Sequence, residues 1–117
     1  MPDLDPAAVL EALAADPQLR MFLGNGRIET MPAKQSRRRL LLDQVAQAFE
    51  PGKRYSEQEV SAFLAELHPD YAALRRYLVD EQFLSRAQGR YWRSGGTTFP
   101  SPGPRQGLRA SAQGGSP

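Results

Sequence analysis

The sequence predicts a mostly α-helical domain that ends in a small β-hairpin, and three observations support this fold class. Apolar residues recur at helical spacing in two separate runs between residues 36 and 67. A third helical run follows "HPD" at 68–70, because proline is tolerated in the first turn of a helix but not in its interior. Finally, Gln88-Gly89 divides "FLSRAQGRYWR" into two short runs rich in strand-forming residues.

The N-terminal segment, residues 1–23, is predicted to form short helical pieces. Asp5 is a suitable N-cap, and Pro6 fits the first helical position. The apolar edge of this segment has no obvious place in a three-helix core, so we expect it to mediate a homodimer. Its residues are Val9, Leu10, Leu13 and Phe22.

The first long helix begins near Ser36 and ends at Pro51-Gly52. The second begins at a capping box formed by Ser56 and Glu59, in which each side chain can bond the backbone amide of the other. Its apolar stripe has the spacing of one helix face and consists of Val60, Phe63, Leu64 and Leu67.

The complete order is helix, brief extended "KRY", helix, tight turn, helix and short hairpin. This is the order of a winged helix-turn-helix, with a three-helix core plus a short wing, and we assign it residues 24–94. Residues 95–117 are rich in Gly, Ser and Pro and are predicted to form a disordered tail.

Charge and composition narrow the function. The net charge is only +2, but basic residues are concentrated in segments 24–40 and 68–94. The chain has no cysteine, which excludes disulfides, thiolate metal sites and cysteine nucleophiles. We find no signal peptide and no apolar run of about 20 residues, so we expect a cytoplasmic protein without a membrane span.

Arginines on the third helix and in the hairpin are the candidate DNA-binding residues. Arg76 should face solvent and Arg75 should lie at the flank of the third helix, where they can enter a major groove or pair with Asp80 or with acids of the second helix. The remaining candidates for contacts with phosphates are Arg86, Arg90, Arg93, Arg37, Arg38 and Arg39. The alternative interpretation of the Arg37–Arg39 run is an exposed, solvated arm.

No group of residues predicts an active site, a cofactor or a metal. The sole histidine, His68, fits a helix junction better than a metal site. Ser56 is explained as a helix cap rather than a nucleophile. Only one of the neighbours Tyr91 and Trp92 can face the core from a strand. We therefore expect a protein that is not an enzyme.

The string "FEPGKRYSEQEV…LRRYLVDEQFLSRAQGRYWR" resembles a bacterial domain-of-unknown-function family, number 2087, over roughly residues 27–93. Members of that family are often described as transcriptional regulators, and some carry a separate helix-turn-helix domain in front. Residues 1–23 are too short for such a domain, so this chain resembles a stand-alone member. Gln82 stands where the family's pattern implies a glycine after the third helix.

These observations predict a small transcriptional regulator that binds double-stranded DNA through its third helix and wing. The alternative is a winged-helix module that docks on a protein without contacting DNA. Acidic residues on the second helix favour that alternative, because they would repel phosphates if they faced the duplex: Glu57, Glu59 and Glu66. RNA binding would use the same basic surface.

Overall fold

The structure, a computed structural model, describes residues 4–96. Within that range four helices, one 3-10 turn and two small antiparallel sheets follow one another. In chain order they are α1 (Pro6–Ala15), the 3-10 turn (Arg20–Phe22), β1 (Leu23–Gly24), β2 (Arg27–Ile28), α2 (Gln35–Ala46), β3 (Arg54–Ser56), α3 (Glu57–Leu67), α4 (Tyr71–Asp80), β4 (Leu84–Ala87) and β5 (Arg90–Arg93). Of the tail predicted for 95–117, only Gly95 and Gly96 belong to the described residues, and the Gly95 amide donates to the Phe83 carbonyl at 3.1 Å, so the ordered chain extends slightly past the predicted start of the tail. Residues 97–117 lie outside the described residues.

Three of the four described helices, α1, α3 and α4, begin where a side-chain cap satisfies free backbone amides. The Asp5 carboxylate accepts from the Ala7 amide at 3.1 Å at the start of α1. The predicted capping box is confirmed, since Ser56 Oγ accepts from the Glu59 amide at 3.1 Å and Glu59 Oε1 accepts from the Ser56 amide at 2.8 Å. At the start of α4, an oxygen of Asp70 accepts from the Ala73 amide in the same way.

The strand content is higher than predicted. The predicted hairpin is confirmed as β4 and β5, but β3 adds to it and forms a sheet of order β3-β5-β4. Tyr55 of β3 pairs with Tyr91 of β5, and both side chains are buried. A second, two-stranded sheet joins β1 and β2 across Asn25 and Gly26, which both adopt positive φ as a tight hairpin turn requires. The fold is therefore mixed α/β.

One hydrophobic core unites α1 with the later helices. Val9, Leu13 and Leu19 are buried in the same cluster as the apolar faces of α2, α3 and α4. The premise that the N-terminal apolar edge lacks a place in the core is therefore wrong: α1 packs against both α2 and α3. A homodimer stays a prediction, but this segment no longer supplies the argument for it.

The exit from α4 is closed by a non-glycine residue in the left-handed region. Gln82 has φ +68°, and the Phe83 amide beyond it donates to the Leu78 carbonyl at 2.9 Å. This is the bond pattern of a Schellman C-cap, a position that glycine usually occupies. Gln82 thus occupies the left-handed position that the glycine of the family's pattern would suit.

Leu13→Ala should lower the free energy of unfolding by about 2–5 kcal/mol, because it empties a fully buried site. Leu40→Ala is the matched control on α2, where the side chain is 42% exposed, and it should cost about 1 kcal/mol. Urea denaturation of both variants measures the difference. Equal small losses would mean that α1 does not share the core.

Gln82→Gly should raise the free energy of unfolding by about 1 kcal/mol, because glycine adopts positive φ without a Cβ clash. Gln44→Gly, the same substitution in the middle of α2, should instead lower it by about 1 kcal/mol. Denaturation midpoints that shift in the same direction for both variants would contradict the strain assigned to Gln82.

Candidate nucleic-acid interface

The outer face of α4 carries a cation that no neighbour neutralises. Leu74 and Leu78 turn the opposite face into the core, which leaves Ala72, Arg76 and Asp80 exposed at successive helical turns. Within residues 4–96, the Arg76 guanidinium makes no hydrogen bond and no ion pair. Arg76 therefore faces solvent, as its position relative to Leu74 predicts.

Arg75, its neighbour, is used to join two helices. Its Nη1 donates to Ser61 Oγ of α3 at 2.6 Å and lies 4.0 Å from Glu57 Oε2. This is the pairing with the second helix that the sequence left open as an alternative. Arg75 thus positions α4 against α3, and part of its charge is already balanced by a carboxylate.

The three hairpin arginines differ in their surroundings. Arg86 of β4 is exposed and lies opposite Tyr91 in the sheet register, with its guanidinium 5.7 Å from the ring centroid. Arg90 is exposed beside the turn. By contrast, Arg93 donates to the carbonyl oxygens of Gly95 and Phe49 and is half-buried. Arg86 and Arg90 are therefore the accessible cations of the hairpin.

The Arg37–Arg39 run makes intramolecular contacts that the sequence did not predict. Arg39 Nη1 lies 2.7 Å from Glu81 Oε1, and its guanidinium stacks 4.7 Å from the ring centroid of Phe83. An Arg38 nitrogen lies 3.7 Å from the other Glu81 oxygen. Arg37 donates to the Gln18 carbonyl at 3.3 Å. The run thus braces the start of α2 against the end of α4 and against the loop after α1.

Glu81 and Arg54 are important residues that the sequence reasoning missed. Glu81 follows α4 and receives bonds from residues more than forty positions earlier, so no local pattern could identify it. Arg54 stacks on Trp92, its cross-strand partner, at 4.2 Å from the ring centroid. This contact could have been predicted only by recognising that "KRY" and "RYWR" pair in one sheet, which places Arg54 opposite Trp92.

Two carboxylates near these arginines have shifted pKa values. The hydrogen bond from the Arg39 guanidinium holds the pKa of Glu81 below its usual range. The Ser56 amide and hydroxyl lower the pKa of Glu59, and the nearby charges of Lys53 and Arg90 act in the same direction. Glu59 therefore lies within the electrostatic reach of the hairpin.

The remaining predicted roles concern single polar or aromatic residues. His68 ends α3 and is buried, with Nδ1 2.8 Å from the Ile28 carbonyl oxygen, so its role at a helix junction is confirmed. Tyr91 faces the core and Trp92 is only half-buried, as the alternation of a strand requires.

Among residues 4–96 no cluster of three acidic or histidine side chains could hold a metal ion, and no helix is long and apolar enough to cross a membrane.

These features define a mixed α/β domain in which Arg76 of α4 and Arg86 of the adjoining hairpin form a basic surface, with Arg90 on the other face of the hairpin. The family model described as "Uncharacterized protein conserved in bacteria (DUF2087)" matches residues 27–93, from β2 to β5, and the chain belongs to this family. The predicted resemblance is confirmed over the same span. Comparison with curated proteins and with solved structures found no match.

Glu81→Gln should make the thermal stability of the domain depend less on pH in the acidic range. A carboxylate whose pKa is lowered by folding stabilises the fold above its unfolded pKa of about 4.3, and this contribution disappears as the pH falls through the folded pKa. The variant should therefore melt at a lower temperature than the wild type at pH 7, and the difference should vanish between about pH 5 and pH 3.

Thermal melts across that range test the prediction, with Glu66→Gln as the matched control. Glu66 is exposed on α3 and makes no ion pair in the described part of the chain. Glu66→Gln should follow the wild-type profile. If Glu81→Gln also followed it, the pairing of Glu81 with Arg39 would be irrelevant to stability.

Proposed function

We propose that this domain is a winged helix-turn-helix that binds double-stranded DNA and acts as a transcriptional regulator. In this assignment α2, α3 and α4 are the three-helix core, α4 is the recognition helix, and the β4–β5 hairpin is the wing. Two features support it: residues 68–70 form a short turn between α3 and α4, and β3 pairs with the wing as the first strand of the sheet.

One observation carries the proposal: an unpaired arginine on the outer face of α4 lies next to a hairpin that holds two further accessible arginines. Arg76 has the position of a residue that enters a major groove, where a guanidinium can bind the edge of guanine with two hydrogen bonds. Arg86 and Arg90 suit contacts with the phosphates that flank the groove.

Other predicted contacts now have a different role in the proposal. Five of the eight predicted arginines bond to groups of the domain itself, so we assign them to positioning rather than to DNA: Arg37, Arg38, Arg39, Arg75 and Arg93. Truncating them would disturb the fold as well as binding. The proposed contact set therefore narrows to Arg76, Arg86 and Arg90.

A second candidate function, docking on a protein, is favoured by the acids at the start of α3. Glu57 lies 4.0 Å from Arg75, and the charge of Arg90 contributes to the lowered pKa of Glu59. The arginines at positions 75, 76, 86 and 90, with Lys53 beside Glu59, give five positive charges against the three carboxylates of Glu57, Glu59 and Asp80, a formal charge of only +2. Acids so close to the proposed surface would repel phosphates, whereas mixed charge suits a protein partner.

Titration of a mixed-sequence fluorescent duplex at several salt concentrations separates these functions. We expect non-specific binding with a Kd of about 10⁻⁴–10⁻⁶ M that weakens steeply with salt. Arg76→Ala/Arg90→Ala removes two proposed phosphate or groove contacts, so the slope of log K against log salt should become shallower by up to about 1.8.

Arg20→Ala is the control, because Arg20 is equally exposed but lies on the 3-10 turn, outside α4 and the hairpin. It should change the slope little. If folded protein, verified by circular dichroism, failed to bind the duplex at low salt, DNA binding would be refuted and docking on a protein would become the leading function. Equal effects of the two variants would show that charge alone, without this surface, governs binding.

A further inference from the structure

A small cavity lies between the outer face of α4 and the hairpin, inside the basic surface described above. Its volume is about 220 Å³. That is below the range of about 300–1,000 Å³ that is usual for drug-sized ligands, so the cavity suits a compact group of a few atoms with water. The polar side chains that line it are Arg75, Arg76, Asp80, Arg86 and Tyr91.

Tyr91 provides an independent sign that the cavity holds a ligand. The side chain is only 1% exposed, and its hydroxyl has no hydrogen-bond partner within residues 4–96. Buried polar groups are almost always hydrogen-bonded, so an unpaired hydroxyl on a residue that lines the cavity points to a partner bound there. The hydroxyl can donate its hydrogen to an anionic oxygen.

The sheet places Arg86 on the same side as Tyr91. Tyr91 pairs with Arg86 of β4, and cross-strand partners project from one face of an antiparallel sheet. Arg90, the next residue to Tyr91 along β5, projects from the opposite face and does not line the cavity. Neighbouring arginines of one hairpin are therefore divided between the cavity and the outer surface.

The charges around the cavity select the kind of anion. Three guanidinium groups and one carboxylate, that of Asp80, leave a formal charge of +2. Arg75 Nη1 donates to Ser61 Oγ and lies 4.0 Å from Glu57 Oε2, so part of the Arg75 charge is balanced and only its other N–H groups remain for a ligand. Arg76 and Arg86 make no hydrogen bond or ion pair in the part of the chain that the structure describes. Guanidinium groups bind phosphate with two parallel hydrogen bonds, which a lysine cannot provide.

We propose that this cavity binds the phosphoryl group of a small phosphomonoester. A monoester carries a charge of about −1.5 to −2 at pH 7, which matches the formal +2 of the lining. The phosphodiester of a nucleic-acid backbone carries a single charge and is the weaker match. The assignment does not require the domain to bind DNA, because it depends only on the cavity and its lining.

Inorganic phosphate at constant ionic strength is the probe, followed by ¹H–¹⁵N NMR and by isothermal titration calorimetry at pH 7.5. We expect saturable binding, with the largest shift changes in residues 72–80 and 84–91. Tyr91→Phe deletes only the hydroxyl and should weaken phosphate binding about tenfold, since a hydrogen bond to a charged group is lost. The unliganded variant should melt no lower than the wild type, because its hydroxyl has no partner there.

Arg86→Gln and Arg90→Gln form a matched pair, since both remove one charge from the same hairpin. Arg86→Gln should weaken phosphate binding tenfold or more, whereas Arg90→Gln should leave the Kd within about twofold. Equal weakening by both variants, or shifts that never saturate, would overturn the proposal and would indicate general attraction of anions.

Dimethyl phosphate, a phosphodiester with one charge, tests whether the cavity prefers a phosphomonoester or the phosphodiester of a nucleic-acid backbone. We expect it to bind at least tenfold more weakly than inorganic phosphate. Binding of equal strength would overturn the assignment to a monoester and would indicate that the cavity binds a phosphate of a nucleic-acid backbone. Because neither arm contains DNA, failure of the duplex titration leaves these results unchanged, and the two proposals can fail separately.

Discussion

The pairing of β3 with β5 is the constraint on which the arrangement of the basic surface depends. Ser56 belongs to both units that it joins: it pairs with Arg90 in the sheet, and its hydroxyl caps α3. One residue thereby fixes the hairpin relative to α3. The Glu57 amide strengthens this junction by donating to the Gly89 carbonyl in the hairpin turn. Because α4 packs on both α3 and β4, the width of the cavity follows from this pairing.

Aromatic packing supports the same junction from the core. Tyr55 lies beside Tyr91 in the sheet, and its ring meets Phe49 edge to face at 5.2 Å. Its hydroxyl is satisfied by the Glu50 amide at 2.9 Å. Tyr91 is equally buried, yet its hydroxyl has no such partner within the described residues. The two paired tyrosines therefore differ in whether the hydroxyl has a hydrogen-bond partner, and Tyr91, whose hydroxyl has none, lines the cavity.

What could be predicted from sequence was local. Caps at Asp5, Ser56 and Asp70 involve residues two or three positions apart, so the starts of α1, α3 and α4 could be identified without tertiary information. The special position of Gln82 was indicated only by the glycine of the family's pattern, and not by its neighbours in the sequence. The burial of α1 could not be predicted, because the short apolar edge of α1 does not reveal which helices it will pack against.

The candidate site was predicted as a set of arginines, but their division into two groups was not. A guanidinium bonds to whichever acceptor the fold brings near, and the acceptors of Arg39 and Arg75 lie 42 and 14 positions away. Composition therefore identifies a basic domain and overestimates its free charge. Only the folded chain distinguishes the arginines that hold α2, α3 and α4 together from Arg76, Arg86 and Arg90.

The overlap between the two proposed ligands has a thermodynamic consequence. Arg76 and Arg86 belong both to the proposed DNA contacts and to the lining of the cavity. A phosphomonoester bound there would neutralise the cations that face the duplex. Since coupling between two ligands is reciprocal, DNA would weaken the binding of the monoester by the same factor. If both proposals hold, the monoester is an effector that releases the domain from DNA, and the shared arginines carry the coupling without any change of fold.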